Sequence, residues 1–133
     1  MGLVLVVEDD PTNAVLAGAV LSRAGHHVLM AVDGTTALDI AQRRLPDLVL
    51  LDVSLAGDMS GLDVCRALRA DPATATVPVL MLSGWAAGQA AGADGYITKP
   101  FSNAELQHRV RQLIDQAHAR ATTGTRRQNH PDG

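Results

Sequence analysis

A single cysteine, Cys65, stands among 133 residues. It excludes an intrachain disulfide and any cysteine-cluster metal site, in keeping with a reducing compartment. Cys65 falls within a helical pattern and reads as inert core. No apolar run approaches the roughly 18 residues that a membrane span requires. Met1 leads straight into an apolar stretch with no cationic segment before it, so the expected location is cytoplasmic and off the membrane. Positive charge is not in excess either. Eleven basic against 14 acidic residues give a net charge of −3, which leaves no electrostatic footprint for nucleic acid. The histidines, His26, His27, His108, His118 and His130, show no metal-ligand spacing beside acids, which argues against a zinc or phosphohistidine role. Lysine is scarcer still: ten arginines stand against Lys99 alone, which marks that ammonium for attention. Internal repeats are absent.

What is present suits one globular domain. Hydrophobic residues make up 47% and charged residues 19%, close to globular averages. A chain of this size buries about two-thirds of its unfolded surface without staples.

Short apolar runs alternate with longer segments of 3.6-residue spacing, the βαβα signature of a parallel sheet covered on both faces. The runs Leu3 to Val7, Val28 to Val32, Leu48 to Leu51, Val77 to Leu82 and Tyr96-Ile97 read as five buried strands. Asp10 as N-cap, Pro11 in the first turn and Gly25 as a stop delimit the first helix. Thr35 to Arg44, ended before Pro46, reads as a second helix, and Gly61 to Ala70, capped by Ser60, as a third. Ser102-Asn103-Ala104-Glu105 is a capping-box pattern opening a last helix with Leu106, Val110, Leu113, Ile114 and Ala117 on one face. Residues 1–120 are therefore expected to form the domain and 121–133, without periodicity, a disordered tail.

In a doubly wound sheet, ligands bind beyond the carboxyl ends of the strands. Here those ends carry Glu8-Asp9-Asp10, Asp52, Ser83 and, after the fifth strand, Lys99-Pro100. Carboxylates gathered at one cleft resist ionising unless a hard cation or an ammonium neutralises them, and oxygen ligands suit Mg²⁺. Asp10, before Pro11, is better explained as a helix cap. Asp52, at the mouth of an apolar strand, is poised as a nucleophile toward phosphorus, giving an acyl phosphate.

Through VVEDDP, LVLLDVSLAG, VLMLSG and GADGYITKPF, in that order across about residues 3 to 119, the chain resembles the receiver domains of two-component response regulators, in their stand-alone form. The resemblance implies a flavodoxin-like (βα)5 α/β fold, doubly wound, with a five-stranded parallel sheet in order 2-1-3-4-5. It implies that Asp52 is the phosphoryl acceptor and that Glu8, Asp9, Asp52 and the backbone carbonyl of Ser54 hold Mg²⁺. Ser83 and Lys99 would contact phosphoryl oxygens, with Gly84 leaving room for the donor. Ser83 and Tyr96 would form the switch pair, and Lys99-Pro100 a cis peptide aiming the ammonium at the cleft. Phe101 reads as core. The implied donor is a sensor histidine kinase or histidine phosphotransfer protein, docking near Asn13 to Gly18. The output partner stays unnamed, and the expected state is a monomer or a weak phosphorylation-dependent dimer. Such a protein catalyses its own phosphoryl transfer and loss without being a turnover enzyme.

The chain also departs from the family. Ser83 and Lys99 stand 16 positions apart, several fewer than receivers usually have, and Trp85 to Gly95 is rich in alanine and glycine. A shortened or irregular fourth helix is expected there. Ala56 replaces a frequent proline, and one extra residue precedes Met59-Ser60-Gly61. Trp85, two positions after Ser83, suggests slow loss of phosphate. Two other readings compete. An aspartyl-phosphate phosphatase of the haloacid dehalogenase type needs a second acid two positions after the nucleophile, where this chain has Ser54. A pseudo-receiver serving as a phosphorylation-independent docking module would leave the acids unused.

Overall fold

The structure, a computed structural model, describes residues 2–55, 57, 59–82, 92–98 and 101–128, with side chains as far as residue 120. Five parallel strands, β1 (Leu3–Val7), β2 (His27–Ala31), β3 (Leu48–Asp52), β4 (Val79–Leu82) and β5 (Gly95–Ile97), form one sheet in the order β2-β1-β3-β4-β5. This is the expected flavodoxin-like order. Four helices are described: α1 (Pro11–Arg23), α2 (Gly34–Arg44), α3 (Gly61–Ala70) and α4 (Asn103–Gln128).

Strand alternation divides the apolar side chains between two cores. Leu5, Val7, Val49, Leu51, Val79 and Met81 pack with Val64, Cys65 and Leu68 of α3 and Ala37 and Ala41 of α2. Val4, Val6, Leu48, Leu50, Leu80, Leu82 and Ile97 pack with Val20 and Leu21 of α1 and with Leu106, Val110, Leu113 and Ile114 of α4. β3 lies between the two and is buried along its whole length, as a central parallel strand must be. Phe101 is partly buried against the second core. Cys65 is fully buried, and burial pushes its thiol up from the ordinary value.

The helix starts follow the local chemistry read from the sequence. Asp10 accepts from the amides of Thr12 at 2.9 Å and Asn13 at 3.4 Å. At α3, Ser60 and Asp63 exchange side-chain and backbone bonds at 3.1 Å each, a complete capping box. Ser102 accepts from the Glu105 amide at 3.0 Å and opens α4.

Several boundaries differ from the sequence reading. β4 starts at Val79, not Val77, because Pro78 has no N–H to give the ladder, although its carbonyl still accepts from Val49 at 2.9 Å. β2, expected to be buried, is a half-exposed edge with Met30 45% accessible. α4 continues to Gln128, past the point where an irregular tail was expected. A helix already nucleated adds one bond per residue fixed, so it extends without needing an apolar face. The shortened fourth-helix segment falls almost entirely on residues 83–91, outside the described residues.

At the amino-terminal pole of the sheet, one guanidinium joins three stretches of chain. Arg69 donates to the Gly92 carbonyl at 2.9 Å, to the Ala75 and Val77 carbonyls at 3.2 and 2.8 Å, and pairs with Asp94. Asp94 also accepts from the Val79 amide at 2.8 Å, tying in the start of β4.

Candidate functional site

At the opposite pole, β1 and β3 run out side by side. Their register pairs Val7 with Leu51, so the residues that follow, Glu8 and Asp52, emerge together. Period-2 alternation places Glu8 on the same face as Val4 and Val6; Glu8 is 3% and Asp52 5% exposed. Asp9, partly exposed, completes a triad. One carboxylate oxygen from each of Glu8, Asp9 and Asp52 lies within 4.8 Å of the others, the sole such group among the described residues.

The local backbone holds this arrangement. The Glu8 amide donates to the Ala31 carbonyl at 3.0 Å, keeping the end of β1 in the sheet. Asp52 Oδ1 accepts from the Ser54 amide at 2.9 Å, a turn that fixes its carboxyl beyond the strand. Behind Asp52, α3 approaches without clearance: a Cβ at Gly61 would fall on the Asp52 carbonyl oxygen and against the Val53 backbone. The Gly61 amide donates to the Val53 carbonyl at 3.0 Å, and the Val53 amide to the Leu82 carbonyl at 3.3 Å.

The three carboxylates lie close enough to repel one another. Glu8 Oε1 accepts long bonds from the Asp10 amide at 3.4 Å and Asn13 Nδ2 at 3.5 Å. Its Oε2 is buried with no hydrogen-bond partner among the described residues. Burial first, and then the Asp52 carboxyl beside it, push Glu8 up to about 7. A buried oxygen without a donor, in a set of hard carboxylate oxygens, fits a divalent cation of the magnesium type. Asn13 and Gly61 had no reading at the site in the sequence. Asn13 is signalled only by its place in the first turn after the acids, and Gly61 only as a glycine opening a helix where other residues serve better.

Tyr96 lies half-buried beside the core that contains Met81. Ser54 is exposed, its amide turned to Asp52. Ser83, Gly84, Trp85, Lys99 and Pro100 lie outside the described residues, as does Ala56.

The sequence pattern of the response regulator receiver domain matches residues 4–111. The chain belongs to that family. It is 41% identical over 122 residues to RpaA of Synechocystis, named as a DNA-binding dual master transcriptional regulator; the match takes in 86% of this chain and 49% of RpaA. This receiver chain thus spans about half the length of that relative. A response regulator from Chloroflexus aurantiacus superposes with a TM-score of 0.82 at 38% identity, over 86% of this chain and 98% of that one. The receiver domain of a Pseudomonas aeruginosa sensor histidine kinase gives 0.80 at 32% identity, over 86% and 98%, and holds a magnesium ion in its active-site cleft. Among the described residues no helix of the receiver is long and apolar enough to cross a membrane.

Proposed function

We propose that this receiver domain accepts a phosphoryl group on Asp52 from the phosphohistidine of a sensor kinase or histidine phosphotransfer protein, in a Mg²⁺-dependent step that alters partner binding. The observation that carries this reading is the triad of Glu8, Asp9 and Asp52 carboxylates within 4.8 Å of one another at the strand ends. Glu8, Asp9, Asp52 and the backbone carbonyl of Ser54 would hold the ion. When bound, the ion supplies positive charge against the carboxylates and the incoming phosphoryl oxygens.

The remaining chemistry belongs to the chain. An Asp52 carboxylate oxygen attacks phosphorus in line. The new phosphorus–oxygen bond forms as the phosphorus–nitrogen bond to the donor imidazole breaks, and that imidazole leaves with the electron pair and is neutral once its ring proton is placed. The Ser54 amide, bonded to Oδ1 at 2.9 Å, orients the carboxylate. Ser83 and Lys99 are assigned to the phosphoryl oxygens, Gly84 to the donor's path, and Tyr96 with Ser83 to the switch. In this reading the protein works in the cytoplasm as a signalling switch, and its output partner recognises the phosphorylated surface.

The test is labelling of the full chain by a small phosphoramidate, followed by intact mass. The expected result is one phosphoryl group gained with Mg²⁺ and none with chelator. Asp52→Asn should abolish labelling with an unchanged circular dichroism spectrum. Labelling that survives in Asp52→Asn would move the acceptor elsewhere. A wild-type chain that is never labelled would favour the docking-module reading. The fluorescence of Trp85, the single tryptophan, is expected to change on addition of Mg²⁺.

A further inference from the structure

His26, just before β2, is 9% exposed, although it is polar and its neighbour His27 is open to solvent. Its Nδ1 accepts from the Gly2 amide at 3.1 Å. Gly2 is held in place by its own carbonyl, which accepts from the His27 amide at 2.9 Å. A ring nitrogen that accepts carries no proton, so the neutral imidazole keeps its proton on Nε2. His26 is thereby a fixed hydrogen-bond donor at Nε2, and a metal ion, which needs a lone pair there, is excluded. Burial first, and then nearby positive charge, that of Arg111 included, hold the ring below its ordinary value and keep it neutral.

This Nε2 has no hydrogen-bond partner among the described residues, nor is it sealed from solvent. It therefore opens on the cavity of about 540 Å³ that His26 lines between the end of α1 and α4. Gln107 Nε2 donates to the Val20 carbonyl at 3.1 Å and pins the two helices together along one wall. One turn on, Arg111 lines the same cavity and makes no ion pair among the described residues. Ala24, Ala104 and Ile114 supply apolar surface. None of Glu8, Asp9 and Asp52 lines it, so the cavity is separate from the acid triad.

An uncharged N–H and a guanidinium fork together call for oxygen acceptors that carry negative charge. How much charge is set by what else faces the space. Asp115 lines it one turn after Arg111, and the carbonyl end of α1 at Ala24 adds partial negative charge. His108, also in the lining, can add at most one positive charge. A dianion would be poorly balanced in such surroundings, whereas a monoanion is matched. We propose that this cavity binds a small organic monocarboxylate, its oxygens held by His26 Nε2–H and the Arg111 guanidinium and its carbon skeleton laid on Ala104 and Ile114. The volume suits a molecule of metabolite size.

The full chain, isotopically labelled, is titrated separately with butyrate, benzoate and inorganic phosphate while the histidine rings are followed by NMR. Free protein is expected to show His26 with a bare Nδ1 and a protonated Nε2. A carboxylate should then shift that Nε2–H saturably, with a Kd of about 1 mM or tighter, and phosphate should bind more weakly. Arg111→Gln, at an exposed position, should weaken carboxylate binding by about tenfold or more, and Arg44→Gln, on α2, should leave it unchanged. Asp115→Asn should tighten it, an outcome that a merely structural role for Asp115 would not give. A proton found on Nδ1 would overturn the proposal. So would carboxylates that leave the His26 ring unmoved, phosphate binding as tightly as they do, or an unaltered affinity in a folded Arg111→Gln protein.

Discussion

Glu8 keeps its proton to about pH 7 because ionising it would bury a second negative charge beside Asp52. The folded state therefore binds more protons than the unfolded state between the ordinary 4.5 and about 7. The stability this contributes is fully present below 4.5 and is lost as pH rises through about 7. Metal-free protein is expected to weaken across that window in urea titrations. Glu8→Gln should remove the slope, and Mg²⁺ should restore stability to the wild type more than to the variant. Leu45 gives a second expectation at this scale. It closes α2 with φ 45° and is 55% exposed, a left-handed conformation that disfavours a Cβ. Leu45→Gly is expected to raise stability by about 0.5–1 kcal/mol, read as a higher melting temperature.

Among the elements, the junction of β3 and α3 is the least tolerant. Gly61→Ala would drive a methyl group into the carbonyl of Asp52. It is expected to lower stability by about 1–3 kcal/mol and, on the proposed function, to slow phosphoramidate labelling, because α3 moves only by dragging the Asp52 peptide. Calorimetry and labelling rates on the same preparation check both. The helices and strands themselves were legible in the sequence, since Asp10, Ser60 and Ser102 cap where short polar side chains precede periodic runs. Clustering of Glu8, Asp9 and Asp52 was legible too, because strand ends in a parallel sheet converge. The approach of Gly61 to Asp52, and of Asn13 to Glu8, was not: each depends on how closely a helix settles on the sheet, which no local pattern encodes. The exposure of β2 was hidden for a related reason. An apolar run signals a strand but does not say whether a neighbour lies on both sides, and His27, polar and exposed, concealed the true start of the strand.

For the molecule as a whole, α4 contributes to the core through Leu106, Val110, Leu113 and Ile114, all before residue 120. Removing residues 121–133 is expected to leave the unfolding free energy unchanged within about 0.5 kcal/mol, checked by denaturant titration of both chains. The Arg69 junction has the opposite weight. A five-donor fork rivets the end of α3, the turn before β4 and the approach to β5 at one pole, and lysine, a point charge, cannot span the same acceptors. The domain is thus anchored at its base through a single side chain. Amide exchange should be slowest beside that rivet, and Arg69→Lys should let the barrier to opening fall first at the end farthest from the carboxylates.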